Sequence, residues 1–150
     1  MPVLDAIQVC ASKSESMCRT FQDETLKMPP VISFAKFNVE DSRYKRGEKY
    51  WYAPTLLKAV KDQELEPFDY PVAAYDMSNS NFSLQNMDDF CWQVRRTLAA
   101  DYESHPIILD DYGQVADGNH RLCHAIIDGV ASVKAYRLTS MPEPDFVEKE

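Results

Sequence analysis

Long apolar runs are missing from this chain, and basic charge is scarce. No stretch of its 150 residues approaches the roughly 20 consecutive apolar positions of a membrane span, so no membrane contact is expected. Met1 to Phe21 lacks the basic start and extended apolar stretch of a secretion signal, which points to a cytoplasmic protein. The four cysteines, Cys10, Cys18, Cys91 and Cys123, include no C-x-x-C pair, so neither a zinc knuckle nor a disulfide framework is indicated. A dense carboxylate cluster of the kind a two-metal nuclease needs is also missing.

The charge balance is lopsided as well. Residues 1–50 carry 8 Lys/Arg against 7 Asp/Glu, whereas residues 51–150 carry 8 against 17. An acidic body disfavours DNA, whose binding rests largely on phosphate neutralisation. A nucleic-acid contact would need a local basic surface. The candidate is Arg43-Tyr44-Lys45-Arg46 with Lys49, Tyr50, Trp51 and Tyr52, where aromatics can stack and cations can meet phosphate. The same residues equally describe an amphipathic surface whose rings cover the core while its cations face water.

What is present suits one domain with an arm. Residues 1–67 are expected to form an N-terminal extension that contacts a partner, mediates a homodimer or covers the core. Within it a short helix is expected around Met17 to Leu26 and a strand, or a docking arm, over Val31–Val39. Pro54 opens a helix running to about Gln63, with Leu56, Leu57 and Val60 as its buried stripe. Residues 68–140 form the main domain and 141–150 an acidic, flexible tail.

Tyr70–Tyr75 reads as a strand and Asp76–Phe82 as turn chemistry. Ser83 can cap a helix whose apolar positions Met87, Phe90, Cys91, Val94 and Leu98 share one face, the expected packing face. Asp88 and Asp89 sit early in that helix and Arg95 and Arg96 late, which suits its dipole.

The most informative stretch is Asp117-Gly118-Asn119-His120-Arg121. Pro106-Ile107-Ile108-Leu109, an acidic Gly-bearing turn and Gln114-Val115-Ala116 precede it as a β-hairpin. Leu122, Ala125 and Ile126 follow at helical spacing, Gly129 stops that helix, and Val130–Leu138 is a last strand. Asp117 is the expected N-cap, and Gly118 leaves the backbone open to a ligand. Asn119, His120 and Arg121 then occupy a helix first turn, where unpartnered N–H groups favour an anion, phosphate above all. Asp117 can alternatively hold Mg²⁺ beside such phosphates. His120 and His124, four apart, have the spacing of two metal ligands, but no third accompanies them.

Strand, helix, PIIL, turn, Gly-x-His-Arg, helix and strand together resemble the ParB/sulfiredoxin superfamily, over about residues 68–138. The resemblance implies an α/β (α+β) core, a small mixed sheet packed by helices. It also implies a nucleotide, ATP or CTP, with phosphates at Gly118, Asn119, His120 and Arg121. Asn119 stands where sulfiredoxins carry their nucleophilic cysteine, so sulfiredoxin chemistry is not expected. Free-serine kinases of this fold place a catalytic carboxylate after the first strand, and Asp76 or Asp69 is the nearest candidate. Two function classes stay open. One is a Mg-dependent NTPase or small-molecule kinase using Asp117 or Asp76. The other is a non-catalytic regulatory or partner-binding protein, ParB-like and DNA-linked at most, of a bacterial or mobile-element system.

Overall fold

The computed structural model describes residues 42–78, 82 and 84–149, which form an α+β arrangement of three helices, a 3₁₀ turn and two sheets. The helix expected over Met17–Leu26, the strand over Val31–Val39 and Ser83 lie outside the described residues.

β1 (Arg43–Arg46) and β2 (Lys49–Tyr52) make an antiparallel hairpin. Strand periodicity sends Tyr44 and Arg46 inward and leaves Arg43 and Lys45 in water. α1 (Ala53–Asp62) follows with Pro54 in its first turn, where a missing N–H costs nothing. It buries Leu56, Ala59 and Val60, but Leu57 faces solvent rather than joining the stripe.

The second sheet runs β3 (Phe68–Pro71), β6 (Ser132–Arg137), β4 (Ile107–Leu109), β5 (Val115–Asp117) in spatial order. β4 and β6 are parallel, and the other pairs antiparallel. β3 is shorter than expected: the chain leaves it at Pro71 for a 3₁₀ turn over Val72–Ala74.

β4 explains why its segment reads as an unbroken apolar run. Ile107 and Leu109 pack with Tyr70, Leu122, Ala125 and Val133 on one side. Ile108 packs with Trp51, Leu56, Val60 and Leu138 on the other. A strand buried on both faces has no polar alternate positions. α3 (Asn119–Asp128) covers the first face and α1 the second. Residues 42–67 therefore share a core with residues 68–138.

Residues 141–149 of the tail are tied down, against expectation. Phe146–Val147 pairs antiparallel with β2 as β7. The Trp51 indole donates to Pro142 O at 2.8 Å, and Asp145 accepts from Tyr52 N and Thr55 Oγ1. Glu148 accepts from Lys45 Nζ at 2.9 Å and Tyr50 Oη at 2.8 Å. Two of the acids that suggested a solvated tail, Asp145 and Glu148, thus have partners on the basic hairpin and the start of α1.

α2 (Met87–Ala99) begins at Asn86, whose side chain accepts from Asp89 N at 2.9 Å, and packs along α3.

Candidate functional site

β5 ends on Asp117, in register with Ile108. Gly118 turns the chain at φ +102°, and α3 starts at Asn119. Asp117 is thus not the N-cap: Gly118 holds that position and no side chain caps the helix. A Cβ on Gly118 would lie 2.6 Å from Ile107 Cγ2 and 3.1 Å from Arg121 Nη2. The glycine lets the corner close onto β4, and Ile107 and Arg121 occupy the side where room for a ligand was expected.

Arg121 is turned back on the chain. Nη1 donates to Pro106 O at 2.8 Å and His105 O at 3.2 Å, while Nη2 pairs with the Asp117 carboxylate. Arg121 and Asp117 keep only 19% and 16% of their side-chain surface in solvent. The planar fork that would grip phosphate instead pins the loop before β4 to the strand after it.

His120 is half-buried between rings. Phe82 lies 4.7 Å from it centre to centre and Trp92 meets it edge-on at 6.5 Å. Its Nε2 stands 2.6 Å from Gln93 Oε1, so the ring donates from Nε2. Burial, reinforced by the nearby Arg96 guanidinium, lowers the imidazole to about 4. At neutral pH it adds no positive charge to the corner.

Besides Phe82, the residues around His120 come from the inward face of α2: Trp92, Gln93 and Arg96. Arg96 lies 4.7 Å above the Trp92 ring, within the field of Asp117, and burial pulls its guanidinium below the ordinary range. Of these α2 residues only Arg96 stood out in the sequence, as a complement to the helix dipole rather than as a neighbour of His120. Asn119 is half-buried in the first turn of α3.

The remaining candidates are placed elsewhere. Asp76 accepts from Ser78 N at 2.9 Å and Ser78 Oγ at 2.6 Å, a local turn that holds its carboxylate below the usual range. Asp69 pairs with Lys134 at 2.8 Å. His124 Nδ1 reaches Ala100 O at 2.7 Å, tying α3 to the end of α2. Among the described residues no group of three or more His, Cys, Asp or Glu side chains is placed to hold a metal, so Asp117 belongs to no such group there.

A second polar centre was not foreseen. Asp110 is fully buried and accepts from Tyr44 Oη at 2.8 Å and Arg46 Nη1 at 3.1 Å. It also accepts from Tyr112 N and Gln114 N, folding the hairpin turn around itself. Arg46 additionally pairs with Asp111. Burial, followed by the hydrogen bond to Asp110, pushes the Tyr44 phenol well above its ordinary range. The inward half of the supposed nucleic-acid surface is therefore a structural brace. Only the Asp-Asp-Tyr-Gly turn signal hinted at it.

The largest departure concerns α2. Thr97 is 3% exposed, whereas Met87, Phe90 and Leu98 are 71%, 50% and 57% exposed. Phe90 and Leu98, with Cys91 and Val94, border a shallow, mostly apolar groove along the outer side of the helix. The expected packing face looks outward, and the polar-aromatic face packs.

Fold and site together define a small α+β domain with a braced strand-to-helix corner and an amphipathic helix docked by its polar side. No family model, curated protein or solved structure matches the chain. No helix among the described residues is long and apolar enough to cross a membrane.

Proposed function

We propose that this chain is a non-catalytic, partner-binding domain whose docking surface is the outward apolar face of α2. The observation carrying this reading is the inverted packing of α2. Burying one large apolar side chain is worth about 1.5–3 kcal/mol, so leaving three or four in water forgoes a sizeable stabilisation. A contiguous apolar face of this kind marks a surface that another protein covers. The candidate corner supports the same reading by its chemistry. Arg121 is committed to three oxygens of its own chain, Asp117 is neutralised by Arg121, and His120 is uncharged. In that set the guanidinium and the carboxylate are already engaged within the chain, and the imidazole brings no positive charge to an anion.

The test uses Phe90→Glu and Leu98→Glu. On a docking face each should leave folding stability within about 0.5 kcal/mol of the parent, as at other surface sites. A loss of several kcal/mol in the monomer would mean that the chain itself covers the stripe, and the reading would fall.

A second reading remains on one observation: Arg96 lies beside His120 and Asp117 at the start of α3, adding a cation to the positive end of that helix. In this reading the ParB/sulfiredoxin likeness is functional. ATP or CTP then places its phosphates at Gly118–Arg121, with Mg²⁺ near Asp117 and hydrolysis or phosphotransfer as the outcome. Melting curves with ATP, ADP, CTP and GTP, with and without Mg²⁺, decide it, because a ligand selective for the folded state raises the melting temperature. An Arg96→Gln variant should lose any such rise.

A further inference from the structure

The outward face of α2 carries more order than apolarity alone. Met87, Cys91, Val94 and Leu98 follow one another at four, three and four residues, the repeat of a helix–helix seam. Leu84, half-exposed just before the helix, stands one heptad ahead of Cys91. Along one border of this seam lie two exposed charges of opposite sign, Asp88 near the start and Arg95 near the end. They are seven residues apart and occupy equivalent heptad positions.

That pattern is complementary to itself when reversed. We infer that the occupant of this face is a second copy of the chain, docked so that the two α2 helices run antiparallel about a two-fold axis. The inference rests on the partner-binding reading and names the partner. In the antiparallel register Met87 faces the opposing Leu98, Cys91 faces the opposing Val94, and the axis passes close to position 92. Asp88 of each chain then lies alongside Arg95 of the other, giving two equivalent pairs. In a parallel arrangement equivalent heptad positions lie on opposite flanks of the seam, so Asp88 and Arg95 of one chain would not meet those of the other. Only the antiparallel arrangement forms those opposite-charge pairs, so the charge order favours it. Opposed helix dipoles favour it too. A two-fold contact of this kind is closed, so it yields dimers rather than filaments.

Size sets the expected strength. Thirteen residues make a helix about 20 Å long, and one such pair buries less than the roughly 1,000 Å² of a durable interface. The dimer should therefore be weak and concentration-dependent unless neighbouring surfaces join it.

The antiparallel register brings the two Cys91 residues near the axis, with backbones on the order of 10 Å apart. A short bismaleimide added to the full-length chain should yield a covalent dimer. The cross-linked peptide should join Cys91 to Cys91, a link that no monomer can form. Sedimentation supplies the second measurement. Asp88→Arg alone and Arg95→Asp alone should each raise the dissociation constant about tenfold or more. Mixing those two variants should restore association, since each then offers the charge the other lacks. A chain that stays monomeric at high concentration, gives no Cys91–Cys91 link and shows no rescue on mixing would overturn the self-pairing. If Phe90→Glu still left the fold intact, the docking face would survive with a different protein as its partner. If Phe90→Glu unfolded the monomer, both readings would fall together.

Discussion

Gly118→Ala separates the two explanations for the glycine at the strand-to-helix corner. If Gly118 serves the fold, an alanine there meets two penalties. The backbone sits at φ +102°, a region that costs an L-residue about 1–2 kcal/mol. The added methyl also falls 2.6 Å from Ile107 Cγ2, on a fully buried strand that cannot yield freely, and such overpacking costs about 1–3 kcal/mol. The expected loss is about 2–5 kcal/mol in all, read as a fall in the urea midpoint at constant slope. Gly129→Ala is the matched control. Gly129 has φ +71° and open space around a Cβ, so only the backbone penalty of about 1–2 kcal/mol applies. The decisive quantity is the difference between the two variants. Equal losses would remove the packing explanation. A stable Gly118→Ala protein that had lost a nucleotide-dependent melting shift would mean the glycine makes room for a ligand.

Two further expectations follow from the buried polar groups. The His120 imidazole titrates near 6.5 when unfolded but only at about 4 when folded, so between those values the unfolded chain holds more protons. The His120 contribution is complete above pH 6.5 and drains away on acidification, by at most about 2 kcal/mol between pH 7 and pH 5 because solvent screens a half-buried ring. Urea unfolding at pH 7, 6 and 5 should show this slope, and His120→Phe should flatten it; parallel curves would refute the burial argument. Asp110→Ala should cost about 3–5 kcal/mol, because Arg46 loses its buried partner and two backbone N–H groups lose their acceptor. Asp110→Asn should cost clearly less by retaining an acceptor for those N–H groups, and equal losses would show that the brace works through charge alone.

Much of the framework was legible for a physical reason. The β4–β5 hairpin, the start of α3, its stop at Gly129 and the existence of a strand after it are set by local chemistry: an apolar run, a tight turn, a 3.6-residue period and a glycine at φ +71°. The direction of Arg121 was not legible in the same way. A helix-start arginine can reach outward to an anion or backward to oxygens of its own chain. Only the fold reveals that His105 O, Pro106 O and Asp117 lie within reach. The tail was misread because composition records its acids and prolines but not the basic hairpin edge that pairs with Asp145 and Glu148.

The reversal of α2 carries the most weight for function. Periodicity correctly grouped Met87, Phe90, Cys91, Val94 and Leu98 on one face, yet a hydrophobic period does not say which neighbour the face meets. The side of α3 that α2 contacts presents His120 and His124, polar groups that need partners when buried. Gln93 Oε1 and Ala100 O supply them, so the polar face of α2 docks inward and its apolar face is left for a partner. The outward stripe and the buried histidines are therefore two consequences of one packing choice. Replacing His120 and Gln93 together by apolar residues should weaken the preference that keeps the stripe outside, and with it the association that the stripe supports.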